Sequence, residues 1–292
     1  MALTHESVES NDFLLLQSRF WTKLNSDFSY SRVVTALSIY ERYLKEADFR
    51  DFLRRLDLPD IEVLMANVEY FTEKEAEKRD EIVKGYFGVS AINTIVDEVA
   101  KNLQKLSKKS SILDVGAGTG FFTTGIAEKL AGRNFGFYAF DATPAMLNVL
   151  VKKLCKLNAS IPPILGVAER INESITVSRK VYQPLGIELP SRYDAIISIL
   201  MLHHCKNPSE VFNSMKRTLK PKGKLVLIDL CKHNFEEFRK KMGDIHLGFE
   251  LNYVKNELDK IFTVERMEKM GEGCKCEESG RSAELFIAVA KS

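Results

Sequence analysis

The second half of the chain alternates short apolar runs with helical segments, and this alternation constrains the fold more than any other feature. Five such runs lie between residues 111 and 230: Ser111–Val115, Phe135–Phe140, Ile164–Val167, Asp194–Ser198 and Lys224–Leu230. They are rich in Val, Ile, Leu and Phe, as buried parallel strands are. Helical patterns fill the intervals at 121–131, 143–157 and 208–219, and one more is expected within 233–260. Strands alternating with helices imply crossover connections, so the sequence predicts a doubly wound α/β fold.

Two further apolar runs complete the pattern, Phe262–Met267 and Glu284–Ala290. Only the short Gly- and Cys-rich link 271–281 joins them. A link of this length cannot hold a crossover helix, so we expect the two strands to be antiparallel neighbours. The predicted sheet therefore has seven strands and is mostly parallel.

The N-terminal third has a different pattern. Residues 10–105 contain no convincing strand, and apolar residues recur three and four positions apart with charges between them, as in amphipathic helices. We therefore predict an all-helical N-terminal region that serves as a lid, a substrate wall or a dimerisation surface.

Composition and charge exclude several classes of protein. The chain is 45% hydrophobic, which is ordinary for a globular protein, and its formal net charge is only +2. The basic stretches 101–109 and 216–224 contain few aromatic residues, so we interpret them as solvated faces and expect no nucleic-acid partner.

Localisation is predicted from three observations. Residues 1–12 carry acidic and hydroxyl side chains rather than the apolar core of a signal peptide. The longest nearly apolar stretch, Ala195–Leu202, is far shorter than the roughly 20 residues of a membrane-spanning helix. The five cysteines show no disulfide-framework spacing. We therefore predict a cytoplasmic protein with no membrane span.

A glycine-rich loop follows the first predicted strand and precedes a helix. It reads Asp114-Val115-Gly116-Ala117-Gly118-Thr119-Gly120. Glycines at such a position allow a sharp turn and a close approach of the backbone to a ligand. Asp141 ends the second strand, 21 residues after Gly120, where an acid can accept hydrogen bonds from ribose hydroxyls. The glycines are closer together than in dinucleotide loops, and the acid before them would repel a pyrophosphate but suits a ligand with an amino group and a positive sulfur.

With these motifs, the sequence resembles the class I S-adenosylmethionine-dependent methyltransferases. The blocks that carry the resemblance are SILDVGAGTG, FDATPAML, ILGVAE, YDAIISILMLHH and LKPKGKLVLIDL. The resemblance covers about residues 80 to 292 and divides the chain into an N-terminal region, 1–80, and a methyltransferase domain, 81–292. It implies a seven-stranded sheet whose last strand is antiparallel. The chain is most similar to the small-molecule branch, of the quinone and arsenite methyltransferase type.

The resemblance also implies a set of residues that bind S-adenosyl-L-methionine and its product S-adenosyl-L-homocysteine. The glycine loop would line the cofactor, Asp114 would lie under that loop near the methionine amino group, and Asp141 would hold the ribose hydroxyls. The remaining positions would contact the adenine or close over the cofactor. The implied cofactor-binding residues are Tyr86, Asp114, Gly116, Ala117, Gly118, Asp141, Ala142, Ala168, Glu169 and Ile199. Many relatives carry an acid where this chain has Val167, and Glu169 could substitute for it.

Two histidines follow the fourth predicted strand. Because ligands of open α/β sheets bind beyond the carboxyl ends of the strands, His203 and His204 are candidate catalytic residues that could act as a base or orient the acceptor. The alternative is that the pair caps a helix or packs beneath the loop. The link 171–193 is longer than usual and could be a flap or a substrate-specific insertion.

Four of the cysteines raise a second functional hypothesis, a site for a metal or a metalloid. Cys205, Cys231, Cys274 and Cys276 all fall at the predicted carboxyl edge of the sheet and could bind a metal or a trivalent metalloid. Their spacing is not that of a usual chelate, so we assign no metal site. The favoured hypothesis is methyl transfer to a small-molecule acceptor by in-line displacement. The alternatives are a metalloid or thiol methyltransferase and a non-catalytic regulatory protein that binds S-adenosylmethionine. A homodimer through the N-terminal helices is also possible.

Overall fold

The computed structural model describes residues 72–157, 159–183, 187–275 and 280–292. The sheet consists of β1 (Ser111–Val115), β2 (Gly136–Asp141), β3 (Pro163–Leu165), β4 (Tyr193–Ile199), β5 (Leu219–Leu230), β6 (Thr263–Lys275) and β7 (Ser282–Lys291). The described helices are α1 (Glu73–Leu103), α2 (Phe121–Lys129), α3 (Pro144–Leu157), α4 (Ile171–Tyr182), α5 (Pro208–Thr218), α6 (Glu236–Met242) and α7 (Leu251–Asp259).

The seven strands form one sheet in the order β3-β2-β1-β4-β5-β7-β6. Strands β1 to β5 pair in parallel, whereas β7 is antiparallel to both β5 and β6. The interior strands are buried on both faces, which explains why they appear in the sequence as continuous apolar runs. The predicted fold class and the predicted β6–β7 pairing are both confirmed.

The chain changes direction across the sheet at β1. From β1 it proceeds outward to β2 and β3, and then crosses back to form β4 on the other side of β1. The connections that leave the carboxyl ends of β1 and β4 therefore run in opposite directions. A crevice opens at such a switch point, and this is where doubly wound sheets bind their ligands.

The described part of the link 171–193, residues 171–183 and 187–193, contains a crossover helix and not the flap or substrate-specific insertion expected above. Residues 171–182 form α4, the crossover helix between β3 and β4. Ile171, Ile175 and Tyr182 on this helix are buried in the core, and the Tyr182 hydroxyl donates a hydrogen bond to the carbonyl of Pro163 in β3. The segment is an ordinary part of the α/β repeat, because its buried side chains pack against the sheet.

Helix α1 begins with a capping box. The Thr72 hydroxyl accepts a hydrogen bond from the Glu75 N–H, and the Glu75 carboxylate accepts one from the Thr72 N–H. The backbone is non-helical at Gly88 (φ 70°), so α1 consists of two helical segments joined by a kink. The rest of the predicted N-terminal helical region, and the dimer surface proposed for it, lie outside the described residues.

Within the described part of the chain, no helix combines the length and the apolar character needed to cross a membrane.

Candidate active site

A cavity lies at the carboxyl edge of the sheet, over the switch point between β1 and β4. Its floor is formed by the residues that follow β1, β2, β3 and β4. Its cover comes from the first segment of α1 and from the stretch after α6. The lining residues that carry the argument below are Arg79, Phe87, Gly118, Asp141, His204 and Met242.

The glycine loop fits tightly against the loop that follows β4. Gly116 has a φ of 84°, and a Cβ at this position would lie 2.1 Å from Met201 Cγ, so no larger residue fits. Gly118 also has a positive φ (54°), but a Cβ there would meet no atom within 4 Å. Gly118 lines the cavity, so the space beside it is available to a ligand.

Asp141 is held in place by the backbone of two loops. One carboxylate oxygen accepts the Gly118 N–H at 2.7 Å, and the other accepts the Thr143 N–H at 2.8 Å. Burial raises the pKa of Asp141, although these hydrogen bonds and the nearby Arg79 oppose the shift. A carboxylate can accept about four hydrogen bonds, so the two backbone donors leave capacity for two hydroxyl donors from a ligand.

Two of the sequence-predicted cofactor residues do not line the cavity. Asp114 lies beneath the glycine loop, as expected, but it is buried and accepts a hydrogen bond from the Thr123 hydroxyl at 2.6 Å. Tyr86 points its hydroxyl towards Glu237, 3.4 Å away, and packs edge-on against Phe238. The neighbouring Phe87, rather than Tyr86, faces the cavity.

The other predicted cofactor positions all line the same cavity: Gly116, Ala117, Gly118, Asp141, Ala142, Ala168, Glu169 and Ile199. Glu169 lies in the short helical turn Ala168–Arg170, after β3. Burial raises the pKa of its carboxyl. Leu200, which follows Ile199, has a positive φ of 56°. Such strain in a residue without glycine's freedom is typical of binding sites.

The first segment of α1 covers the cavity, which is consistent with the expectation that the region around Tyr86 closes over the cofactor; the part played by Arg79 and Val83 was not predicted. Arg79, Val83 and Phe87 are spaced four residues apart, and therefore share one helix face. Asp80 fixes that segment to the glycine loop, because its carboxylate accepts the Thr119 hydroxyl at 2.6 Å and pairs with Lys153 at 2.5 Å. In the sequence, the four-residue spacing of positions 79, 83 and 87 was the signal that could have placed them on one face of a helix.

The two predicted catalytic histidines occupy different positions. His204 lines the cavity, whereas His203 lies behind it, with Nδ1 2.7 Å from Asp229 Oδ1. Although burial acts to lower it, the pKa of His203 is raised by the Asp229 and Asp244 carboxylates. Burial and the adjacent His203 hold the pKa of His204 well below its ordinary value. His204 is therefore a neutral imidazole at physiological pH.

The cysteines do not converge. Cys205 lines the cavity, while Cys231 and Cys274 are buried and do not line it; Cys276 lies outside the described residues. Burial raises the pKa of Cys205 well above its ordinary value and that of Cys231 to about 11, so both are thiols rather than thiolates. Among the described residues, no group of side chains close enough to share a metal ion contains a cysteine. This arrangement does not favour a thiol-based metalloid site.

Comparison with known proteins places the chain in a family. Residues 90–267 match the family described as methyltransferase domain. The mitochondrial ubiquinone biosynthesis O-methyltransferase of Schizosaccharomyces pombe is 31% identical over 117 residues, which cover 40% of this chain and 36% of that protein. The hybrid PKS-NRPS synthetase LUC5 of a Fusarium species is 25% identical over 198 residues, which cover 61% of this chain but 4% of that protein. The chain thus spans only part of the curated relatives that it matches.

Solved structures share the fold. The phosphoethanolamine N-methyltransferase 2 of Haemonchus contortus, solved in complex with S-adenosyl-L-methionine, is similar with a TM-score of 0.56 and 15% sequence identity, and the match covers 84% of this chain and 60% of that one. The family match spans more than half of the chain and includes the glycine loop, Asp141 and both histidines. The chain therefore belongs to the class I methyltransferase domain family, whose cofactor is S-adenosyl-L-methionine.

Proposed function

We propose that this protein is an S-adenosyl-L-methionine-dependent methyltransferase that acts on a small-molecule acceptor. The observation that carries the proposal is that Asp141 and His204 line one and the same cavity. A donor that is held at the Asp141 end would thus share an enclosed space with an acceptor at the His204 end.

The donor end fits the cofactor chemically. Asp141 has acceptor capacity left after its two backbone hydrogen bonds, which matches a ribose with two vicinal hydroxyls. The open space at Gly118 lets the backbone contact the ligand, and Ala142, Ala168 and Glu169 would border the adenine. S-adenosyl-L-methionine supplies a methyl group that is already activated on a positive sulfur.

The tasks left to the protein are positioning, exclusion of water and removal of a proton. Helix α1 covers the cavity through Phe87 and is fixed to the glycine loop by Asp80, which restricts access of water. His204 is neutral, so a ring nitrogen can accept a hydrogen bond from an acceptor hydroxyl and orient it. Its lowered pKa makes it a weak base, so it would take the proton as methyl transfer develops positive charge on that oxygen. His203 and Asp229 lie behind His204 and position it, with the two imidazole rings 4.2 Å apart.

The acceptor end supports a small and partly apolar substrate. Phe87, Met201, Met242 and Ile245 form apolar walls beside His204. An acceptor bound there would lie under α1. A folded macromolecule could reach this space only by inserting a narrow protruding group. The S. pombe relative is a ubiquinone biosynthesis O-methyltransferase, and this supports an acceptor of this kind.

The test is transfer of a labelled methyl group from S-adenosyl-L-methionine to a panel of phenols, quinols and acidic carbon compounds. We expect turnover with at least one class, and we expect His204→Ala to lower kcat about 10²-fold or more, the usual contribution of a general base, without changing the affinity for S-adenosyl-L-homocysteine. His233→Ala removes an imidazole that does not line the cavity and is the matched control. Cofactor binding with no transfer to any acceptor would instead favour the non-catalytic regulatory hypothesis.

A further inference from the structure

His203, His204 and Asp244 converge at the edge of the cavity. Each offers one possible ligand atom, and these atoms all lie within 4.8 Å of one another. His203 Nε2 lies 3.7 Å from Asp244 Oδ1. Asp244 follows α6, between the cavity-lining residues Met242 and Ile245, so the cluster borders the proposed acceptor space.

The histidine rings are oriented by groups on the side away from the cluster. Asp229 faces His203 Nδ1 at 2.7 Å, so a neutral His203 would carry its proton on Nδ1 and turn the Nε2 lone pair towards Asp244. His204 Nδ1 lies 3.3 Å from the carbonyl oxygen of Gly243. Metal-binding histidines in proteins characteristically donate their second ring N–H to a carboxylate or a backbone carbonyl in this way.

Asp244 carries a buried carboxylate oxygen that lacks a hydrogen-bond donor among the described residues. Its side chain is buried, with 5% of its surface exposed, and Oδ1 accepts no hydrogen bond from the residues that the structure describes. A buried carboxylate oxygen without a donor is unfavourable by several kcal/mol unless a cation compensates it. Asp229 and Asp244 place two carboxylates around the two imidazoles, and Arg79 and Arg239 lie close enough to interact with Asp244. None of the described residues donates a hydrogen bond to Asp244 Oδ1, so a cation bound there would supply the partner that this oxygen lacks.

We propose that His203, His204 and Asp244 form a binding site for one divalent transition-metal ion, with Asp229 as the outer partner that orients His203. Two imidazoles and one carboxylate are a common protein ligand set for zinc sites that keep a further position open. Tetrahedral ligands with bonds of roughly 2.0–2.1 Å lie about 3.3 Å apart. The distance between His203 Nε2 and Asp244 Oδ1 is 3.7 Å, and all three ligand atoms lie within 4.8 Å of one another, so the pairs would have to close by at most about 1.5 Å to complete the site.

The site also has a consequence that rests on the proposed function. With an ion bound, His204 would be a ligand and no longer a free base. The ion would border the acceptor space and could bind an acceptor oxygen in its open position, which favours the deprotonated form of that oxygen. The preferred acceptors would then be oxygen acids, such as phenols or enols, rather than amines.

The proposal is tested by metal binding to tag-free full-length protein that has been treated with a chelator and dialysed. We expect Co²⁺ to bind with 1:1 stoichiometry and to produce visible absorption bands, and we expect Zn²⁺ to displace it in a calorimetric titration. Asp244→Asn should weaken Co²⁺ binding by at least about tenfold, because the amide keeps the size of the side chain but loses its charge. Asp259→Asn, which changes an exposed carboxylate at the end of α7, is the matched control and should bind as the wild type does.

Wild-type protein without stoichiometric binding, or Asp244→Asn binding as tightly as wild type, would overturn the proposal in favour of a protonated His203 between two carboxylates. If circular dichroism shows that Asp244→Asn is unfolded, the Co²⁺ affinity of His204→Asn is compared with that of wild type instead, because His204 is the proposed ligand that lines the cavity. Binding of S-adenosyl-L-homocysteine is measured on the same samples without metal. If wild-type protein binds S-adenosyl-L-homocysteine but not Co²⁺, the metal site alone is rejected. If it binds Co²⁺ but not S-adenosyl-L-homocysteine, the proposed methyltransferase function is rejected.

Discussion

Asp114 couples the stability of the fold to pH in an unusual direction. The side chain lies under the glycine loop, and burial raises its pKa to about 7, although the hydrogen bond from Thr123 opposes the shift. In the unfolded chain an aspartate titrates near 3.9. The folded state therefore prefers the protonated acid, and the free energy of unfolding falls as the pH rises from about 4 to about 7.

The magnitude follows from the difference between the two pKa values. About three pKa units at 1.36 kcal/mol each correspond to roughly 4 kcal/mol over the whole range, of which about 2–3 kcal/mol falls between pH 5 and pH 8. Asp114→Asn removes the titration and keeps an oxygen that can accept the Thr123 hydroxyl. We therefore expect the difference in unfolding free energy between the variant and wild type to shift by about 2–3 kcal/mol in favour of the variant when the pH is raised from 5 to 8.

The assay is urea unfolding followed by circular dichroism at pH 5, 6, 7 and 8 for both proteins. The comparison uses the difference between them at each pH, so that titration of other groups cancels. Asp259→Asn, which alters an exposed carboxylate, should follow the wild-type curve. Parallel curves for Asp114→Asn and wild type would refute the burial argument, because they would show that Asp114 does not change its protonation on folding in this range.

Two further predictions concern packing and the cover of the cavity. Gly166→Ala should lower the free energy of unfolding by about 1–3 kcal/mol in a urea titration, because the new Cβ would lie 2.5 Å from Phe140 Cζ; an unchanged midpoint would contradict the tight packing. Asp80→Asn should speed amide hydrogen exchange in residues 73–87 about fivefold or more, because it removes the ion pair with Lys153 and so loosens α1; equal protection in both proteins would show that Asp80 does not hold the helix.

The fold was predictable because parallel strands that are buried on both faces appear in the sequence as continuous apolar runs. The β1 prediction, Ser111–Val115, matches the observed strand, and β4 was predicted to within one residue at each end. The β5 prediction has the correct end, but the strand begins five residues earlier than predicted. The helix at 171–182 was missed because its pattern is weaker: Ser174 and Ser178 occupy buried positions, where apolar residues are usual. Both serine hydroxyls bond to the carbonyl four residues earlier, which satisfies them inside the core.

The lining of the cavity was predictable only where its residues end a strand or follow one directly. The glycine loop and Asp141 belong to that group, because strand ends fix their position. Asp244 does not, since it lies 40 residues after His204 and reaches it through the turn that follows α6. Tyr86 and Phe87 are adjacent on α1, and sequence alone could not determine which of them faces the cavity.

The central claim is that Asp141 and the glycine loop hold one nucleoside cofactor. Isothermal titration calorimetry of S-adenosyl-L-homocysteine into wild-type protein, Asp141→Ala and the exposed-site control Asp259→Ala tests it directly. We expect binding to wild type and to the control, and a loss of about 1–3 kcal/mol in Asp141→Ala, which corresponds to roughly 5- to 150-fold weaker affinity. Equal affinity in all three proteins, or no binding to folded wild type, would contradict the assignment.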